Sequence, residues 1–313
     1  MSLATPTARR VHARAPGKLN VAFDVGDVQP DGYHDVASVY QAVSAYEDVW
    51  ATTTPDADAY TIAVSGDLDV SGVPLDGSNL AVRAARRLAQ HVGYTGGIHL
   101  DIRKGVPVAG GMGGGSADAA AALVAVNELL GEGLSTLELQ QLGAELGADV
   151  PFAVLGGTAI GTGRGDELAP ALVRGRFDWV IVLSRRGLST PAVYGELDRL
   201  RALPDIAPAH GAPRVDPAVL QALRAGDPAA LADALRNDLQ AAALSLRPDL
   251  ADVLRTGEDA GALAGLVSGS GPTVAFLATD EDGARDLAND LSEYGMQAFP
   301  VHGPVPGARA TTP

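Results

Sequence analysis

The sequence predicts a mixed α+β protein of two closely packed lobes, a β-rich first lobe and a second lobe that mixes helices with strands. Three observations carry that expectation. Short β-type runs separated by Gly, Pro and Asp clusters fill the chain as far as Ser65. Capped helical stretches then enter between strands without a regular βαβ alternation, and no internal repeat is present. A chain of 313 residues that is 46% hydrophobic is long enough to bury a large core, in one big domain or two ordinary ones.

Taken in order, a frayed start is followed by strands at Val11 to Ala15 and Leu19 to Val25, joined through the turn-type residues Pro16, Gly17 and Lys18. Val36 to Tyr46, Asp48 to Thr54 and Tyr60 to Ser65 continue the β pattern. Asn79 to His91 has apolar residues at helical spacing (Leu80, Ala84, Leu88), with Gly93 as the stop, and Gly97 to Arg103 is a strand. The next helix runs from Gly115 to Leu130. Ser135 and Glu138 form a capping box for another that ends near Gly147. Trp179 to Ser184 is a strand, and helices are expected near Pro191 to Leu200, Pro217 to Ala225, Pro228 to Arg236 and Pro248 to Glu258. Strands at Leu263 to Val267 and Thr273 to Leu277, a helix from Glu281 to Tyr294 and a last strand close the second lobe. Arg201 to Pro217, aperiodic and Pro-rich, reads as a surface loop. The Pro- and Gly-rich end after residue 303 reads as a flexible tail. The expected boundary divides the chain into residues 1–165 and 166–313.

Charge and composition exclude several function classes. A formal net charge of −15 opposes a nucleic-acid partner, because such binding rests on Lys and Arg neutralising phosphates. A small anion held by local groups stays compatible with it. There is no cysteine, and the six histidines lie far apart, so disulfides and thiolate or clustered-histidine metal sites are not expected. No apolar run reaches the roughly 18–20 residues that span a bilayer, and the opening MSLATPTARR lacks the apolar core of a signal peptide. A cytoplasmic protein with no membrane partner and no obligate protein partner is expected.

Chemistry concentrates in Pro107 to Leu130, where five of the six positions 110–115 are glycine and an Ala-rich helix follows at once. The first amides of a helix lack intrahelical acceptors and the macrodipole is positive there, so an anion fits. Glycines admit φ > 0 and keep side chains away from a phosphate. Ser116 would lie in the first turn with its hydroxyl available to a phosphate or a metal. The bland alternative is a flexible connector or a tight helix contact. The loop is not a Walker A sequence, since no Lys-Ser or Lys-Thr follows the glycines. The dinucleotide register Gly-x-Gly-x-x-Gly fails at Ser116 and Asp118.

Two further elements supply what phosphoryl transfer needs. Lys18 and Asn20 are two apart, so on a strand both project from one face. Asp149 is expected just beyond a helix C-terminus, where the macrodipole disfavours an anion and a lysine would compensate it. Such a pair beside a phosphate could activate a hydroxyl and damp developing charge. Taken singly, a turn lysine is ordinarily a solvated charge and an aspartate before a proline a cap. Ser268 to Phe276, SGSGPTVAF, could be no more than a tight turn between strands.

Together, APGKLN (Ala15 to Asn20), PVAGGMGGGSADAA (Pro107 to Ala120) and SGSGPTVAF, in this order, resemble the three motifs of the GHMP kinases, the superfamily of galactokinase, homoserine kinase and mevalonate kinase. The likeness spans most of the chain. DGYHDVASVYQAV (Asp31 to Val43), SNLAVRAARRL (Ser78 to Leu88) and LGADVPFAV (Leu146 to Val154) resemble the branch that phosphorylates a cytidine-diphosphate alcohol on the non-mevalonate route to isoprenoids.

The resemblance implies the two-lobed GHMP fold, with a β-rich N-terminal nucleotide lobe and a C-terminal substrate lobe. It also implies ATP and Mg2+ as cofactors and an alcohol as the phosphoryl acceptor. It makes Asp149 the base and Lys18 the charge stabiliser. Asn79, Leu80 and Lys104 take the adenosine side, and Pro107 with Gly110, Gly111, Gly113, Gly114, Gly115 and Ser116 the phosphates. On the substrate side it puts Asn20 at the polyol, Tyr33 and Tyr194 on the two faces of the cytosine, and His34 at its edge, with Thr190, Gly269, Ser270 and Gly271 completing the pocket. Departures are Tyr194 where Phe is usual, Met112 for Leu, and Ala117 for a common Ser. No Glu matches the metal-binding acid of mevalonate kinase, so magnesium is expected to be held by ATP and water rather than by a protein ligand.

Overall fold

The computed structural model describes residues 9–108, 110–184, 186–203 and 212–311. Two long antiparallel strands, β1 (Arg10–Val28) and β2 (His34–Thr54), pair along nearly their whole length. Each replaces what the sequence divides into two. The Pro16-Gly17-Lys18 stretch is not a turn: β1 continues through it, while the register steps from Pro16 opposite Tyr46 to Gly17 opposite Val43. Proline has no amide hydrogen for the ladder, and an irregularity is where a strand accommodates one. Here it re-aims Lys18 and Asn20.

The chain continues through β3 (Tyr60–Gly66), α1 (Leu80–Val92), β4 (Gly97–Lys104), α2 (Gly114–Leu130), α3 (Thr136–Ala144), α4 (Val150–Leu155), β5 (Thr158–Thr162) and β6 (Glu167–Pro170). It then forms β7 (Phe177–Leu183), α5 (Thr190–Arg201), α6 (Pro217–Ala225), α7 (Pro228–Ala234), β8 (Arg236–Asn237), α8 (Gln240–Leu246) and α9 (Asp249–Asp259). β9 (Ala264–Val267), β10 (Val274–Leu277), α10 (Glu281–Glu293), β11 (Gln297–Gly303) and β12 (Arg309–Thr311) end it. The capping box of α3 is present, with Ser135 accepting from the Glu138 amide and Glu138 accepting from that of Ser135. Helix α7 stops short of the expected Arg236 because Arg236 and Asn237 pair with Ala22 and Phe23 of β1. Short elements such as α4, β5, β6 and α8 leave too little periodicity to be read. The frayed start (residues 1–8) and residues 204–211 of the expected Pro-rich loop lie outside the described residues.

One sheet runs β12-β1-β2-β4-β3, with β5 beside β2, β6 beside β5 and β8 beside β1. The other is an antiparallel β11-β7-β10-β9. Helix α2 is enclosed between the first sheet and α1. Its alanines at 117 and 119–122 are fully buried, and their small size lets the neighbours approach on every side. A separate core joins Leu19 and Val21 of β1 to Trp179, Ile181 and Ala275 of the second sheet, and the Trp179 indole donates to Gln41 Oε1 at 2.9 Å. β1 thus runs through the junction of the lobes, and the site lies on it.

The expected tail is corrected. β12 pairs with β1, Val305 is buried, and the amides of Gly157 and Val305 bond to the carbonyls of Val305 and Ala42. Pro and Gly here serve close packing: a Cβ on Gly307 would come within 2.2 Å of the Val154 carbonyl oxygen. The chain end therefore returns to the first sheet. Residue 165, the expected boundary, lies in the turn between β5 and β6, which stay paired with each other.

Candidate active site

The glycine loop between β4 and α2 is held from two sides. The Lys18 amide donates to the Met112 carbonyl at 3.0 Å, which fixes the loop to β1. Gly111 and Gly113 adopt φ of 76° and 72°, which favours glycine. A Cβ on Gly110 would come within 2.6 Å of Thr273 Oγ1, and one on Gly111 within 2.7 Å of the Ser268 carbonyl oxygen. So the loop lies directly against the Ser268–Thr273 segment. Helix α2 begins at Gly114, one residue earlier than expected, with Gly113 as a cap that has no side chain to offer. Its first amides are left for a ligand. Beside Gly115 a Cβ would meet nothing within 4 Å, so that side is open.

Lys18 and Asn20 share a face of β1, as their spacing requires: Lys18 Nζ donates to Asn20 Oδ1 at 2.6 Å, and Asn20 Nδ2 donates to Ser38 Oγ at 2.8 Å. Asp149 Oδ2 is 3.9 Å from Lys18 Nζ, with the carboxylate about one-third exposed. Its setting is corrected. Asp149 is the residue that opens α4, with Pro151 in that helix's first turn, and not the trailing end of α3, which stops at Ala144. Proline is compatible with a first turn, and a helix start favours an anion instead of opposing it. The carboxylate makes no capping bond, which leaves it to face the lysine and the cleft.

Gly269, at φ 57°, places its backbone where a Cβ would be 3.0 Å from Asn20 Oδ1. Asn237 holds that loop by donating Nδ2 to the Val267 and Gly269 carbonyls, both at 2.7 Å. Thr190 and Ser270 share a hydroxyl hydrogen bond of 2.8 Å. The result is a cleft of about 200 Å³ bounded by Lys18, Asn20, Gly113, Asp149, Tyr194 and Ser270. Tyr40 also lines it. Burial, with Asp149 adding, pushes the Tyr194 hydroxyl up to about 12 and raises that of Tyr40 as well, so both phenols are neutral at physiological pH. Among the described residues no group of three His, Asp or Glu converges to hold a metal.

Four expected contacts have side chains engaged elsewhere. Asn79 caps α1, accepting from the Ala81 amide at 2.9 Å and donating to the Pro74 carbonyl at 2.8 Å. Lys104 is buried between Glu47 and Asp118. His34 turns Nε2 to Asp198 Oδ1 at 2.8 Å, and its ring lies 5.1 Å from that of Tyr194. Tyr33, 59% exposed, has the Arg164 guanidinium 4.2 Å over its ring, while Arg164 also pairs with Asp31 at 2.6 Å. Pro107, Gly110 and Gly114 are buried behind the loop; Leu80 and Ser116 are half-buried. Gly271, at φ 74°, packs on Val267. Sequence reasoning missed Tyr40, Arg164, Asn237 and Asp198. Each meets its partner across a long stretch of chain, and only the tyrosine lay inside a quoted motif.

The chain is similar to known proteins along its whole length. The GHMP kinases N terminal domain model matches residues 79–157 and the GHMP kinases C terminal model residues 219–296. A 4-diphosphocytidyl-2-C-methyl-D-erythritol kinase from Clavibacter michiganensis subsp. michiganensis is 59% identical, over 100% of both chains. One from Leifsonia xyli subsp. xyli is 58% identical, over 96% of this chain and 98% of its own. The crystal structure of a 4-(cytidine 5'-diphospho)-2C-methyl-D-erythritol kinase superposes with a TM-score of 0.75 at 29% identity, over 93% of this chain and 98% of that one. The family models and the full-length likeness together show that the chain belongs to the GHMP kinases, in the 4-diphosphocytidyl-2-C-methyl-D-erythritol kinase family.

Proposed function

We propose that the protein transfers the γ-phosphoryl group of ATP to a hydroxyl of 4-diphosphocytidyl-2-C-methyl-D-erythritol, giving the 2-phosphate, in the cytoplasm, where ATP is supplied. The observation that supports this most is the convergence of Lys18, Asn20 and Asp149 at the mouth of the glycine loop. Asp149 takes the proton of the attacking hydroxyl as its oxygen bonds to the γ-phosphorus. The bond from that phosphorus to the bridging oxygen breaks and ADP leaves. Lys18, oriented by Asn20, offsets the charge that spreads over the transferring group. A positioned base of this kind contributes about 10²–10⁴ in rate.

The loop Gly110–Ser116 takes the phosphates through backbone amides. Asn79, Leu80, Lys104 and Pro107 shape the adenosine side, Asn79 and Lys104 through the backbone they fix, because their own polar atoms are bonded internally. Magnesium, carried by ATP and held by its phosphates and water, would supply neutralisation of phosphate charge. Of the acids at the loop, Glu47 and Asp118 are buried behind it on Lys104, and Asp149 faces Lys18 across the cleft. Tyr194, Thr190 and the Gly269–Gly271 segment receive the cytidyl alcohol, and Tyr33 and His34 border its base. Arg164 covers one face of Tyr33, so the base shares that ring with the guanidinium or displaces it.

A coupled ADP-release assay with the cytidyl alcohol, homoserine and galactose tests the proposal. ADP release that depends on the cytidyl alcohol is the expected result. Release with homoserine or galactose alone would reassign the substrate. Nucleotide binding without release in any case would make the protein a silent nucleotide binder.

A further inference from the structure

Behind the glycine loop are three ionisable side chains whose charges the proposed chemistry does not use, Lys104 entering it only through its backbone. Lys104 ends β4 with its side chain only 2% exposed, and its ammonium contacts Glu47 Oε1 of β2 at 2.6 Å and Asp118 Oδ2 of α2 at 2.5 Å. Glu47 is fully buried, and its Oε2 accepts the Gly105 amide at 3.1 Å. Asp118 is buried, and its Oδ1 has no partner among the described residues. The group touches the loop at both ends. Gly105 starts the segment that becomes the loop, and Asp118 is one turn into the helix that the loop opens. A Cβ on Gly114 would come within 3.0 Å of Glu47 Oε1.

Two carboxylates and one ammonium would leave a buried net charge of −1 beside a helix start that receives phosphates, a charge that solvent screens poorly. Holding one proton removes it. Burial and the Asp118 charge push the Glu47 carboxyl up to about 8, and burial pushes Asp118 up to about 6. Burial works against the Lys104 charge, but the two acids hold it above the ordinary lysine range. The charges acting on these three groups are one another's; among the described residues, β2, β4 and α2 bring no other charged side chain to them.

We propose that Glu47, Lys104 and Asp118 form a proton-holding base behind the glycine loop, positioning residues that keep the phosphate site free of buried negative charge, with one proton held by the pair of carboxyls. It rests on the loop's binding ATP phosphates. The sign follows from linkage. An anion in the loop favours the protonated triad, so nucleotide affinity is constant while the carboxyl pair holds its proton and falls as pH rises through the pair's titration, by up to about tenfold in Kd per pH unit for a single linked proton.

The test is calorimetric titration of the whole protein with ADP from pH 7.0 to pH 9.5, for wild type, Glu47→Gln and Asp118→Asn. Glutamine in place of Glu47 accepts the Gly105 amide without titrating. Asp118→Asn leaves one carboxylate facing one ammonium, with no net charge for a proton to remove, and it answers the same question if Glu47→Gln does not fold. Wild-type Kd is expected to rise at least fivefold across the range, and both variants to hold theirs within twofold. A flat wild-type profile, or the same slope in the variants, would overturn the proposal while leaving the loop a nucleotide site. Absence of ADP binding by the wild type at any pH would instead overturn the loop's assignment, and the triad's role with it.

Discussion

Lys18 and Asp149 are close enough for their mutual dependence to be calculated. At 3.9 Å two unit charges interact by about 4 kcal/mol in a protein-surface medium and by about 1 kcal/mol in bulk water. With Asp149 about one-third exposed and Lys18 nearly buried, the coupling falls between these limits, which corresponds to roughly 5-fold to 10³-fold in rate. Asp149→Asn keeps the shape and removes the base, at a cost of about 10²–10⁴ in turnover. Lys18→Met keeps most of the stem, removes the ammonium and also lowers turnover strongly. Because both act on one transition state, the double variant should be less impaired than the product of the single losses by that roughly 5-fold to 10³-fold factor. The assay is a double-mutant cycle on turnover at saturating ATP and cytidyl alcohol, with both affinities measured separately. Near-wild-type turnover of Asp149→Asn would remove the general base from the mechanism. Strictly multiplicative losses would mean that the two groups act independently in spite of their distance.

Two neighbouring glycines should respond oppositely to alanine. At Gly111, φ is 76° and a Cβ would be 2.7 Å from the Ser268 carbonyl oxygen, so Gly111→Ala should cost at least about 1–2 kcal/mol and lower the melting temperature; at Gly115 the space is open, so Gly115→Ala should melt like wild type and raise the Michaelis constant for ATP, and unchanged ATP kinetics there would take the phosphate away from that amide. Truncation after Gly303 removes β12, buried Val305 and its backbone bonds to the first sheet. The melting temperature should fall by about 5 °C or more, and an unaltered melting curve would restore the tail the composition suggested.

What could be read from the chain was whatever local pattern decides. The α3 capping box, the stop of α1 at Gly93 and the shared face of Lys18 and Asn20 each depend on residues within a few positions of one another. What could not be read depends on a distant partner. Pro16-Gly17 has turn composition, but β2 supplies a strand that absorbs it as an irregularity. The Pro- and Gly-rich end looks unstructured until Leu155 and Gly156 are beside it. Asp149 seemed to end a helix because α4, six residues long, is too short to show its own period. Resemblance to a family located Asn79, His34 and Lys104 without revealing that their polar atoms are bonded to Ala81, Asp198 and the pair Glu47 and Asp118.

The same distinction bears on how a chain of net charge −15 can hold two phosphate-rich ligands. Its cations near the cleft are few and mostly committed. Lys104 is neutralised by two acids, Arg164 is paired with Asp31, and Lys18 faces Asp149. In the proposed site, attraction for phosphate comes chiefly from the amides at the start of α2, whose partial charge is small and whose reach is short. A site built on dipoles is sensitive to any full charge buried beside it. Gly114 brings that charge close, since even a Cβ there would come within 3.0 Å of Glu47 Oε1, and the proposal above makes the protonation of a carboxyl pair behind the loop the control on affinity for both the nucleotide bound and the nucleotide released.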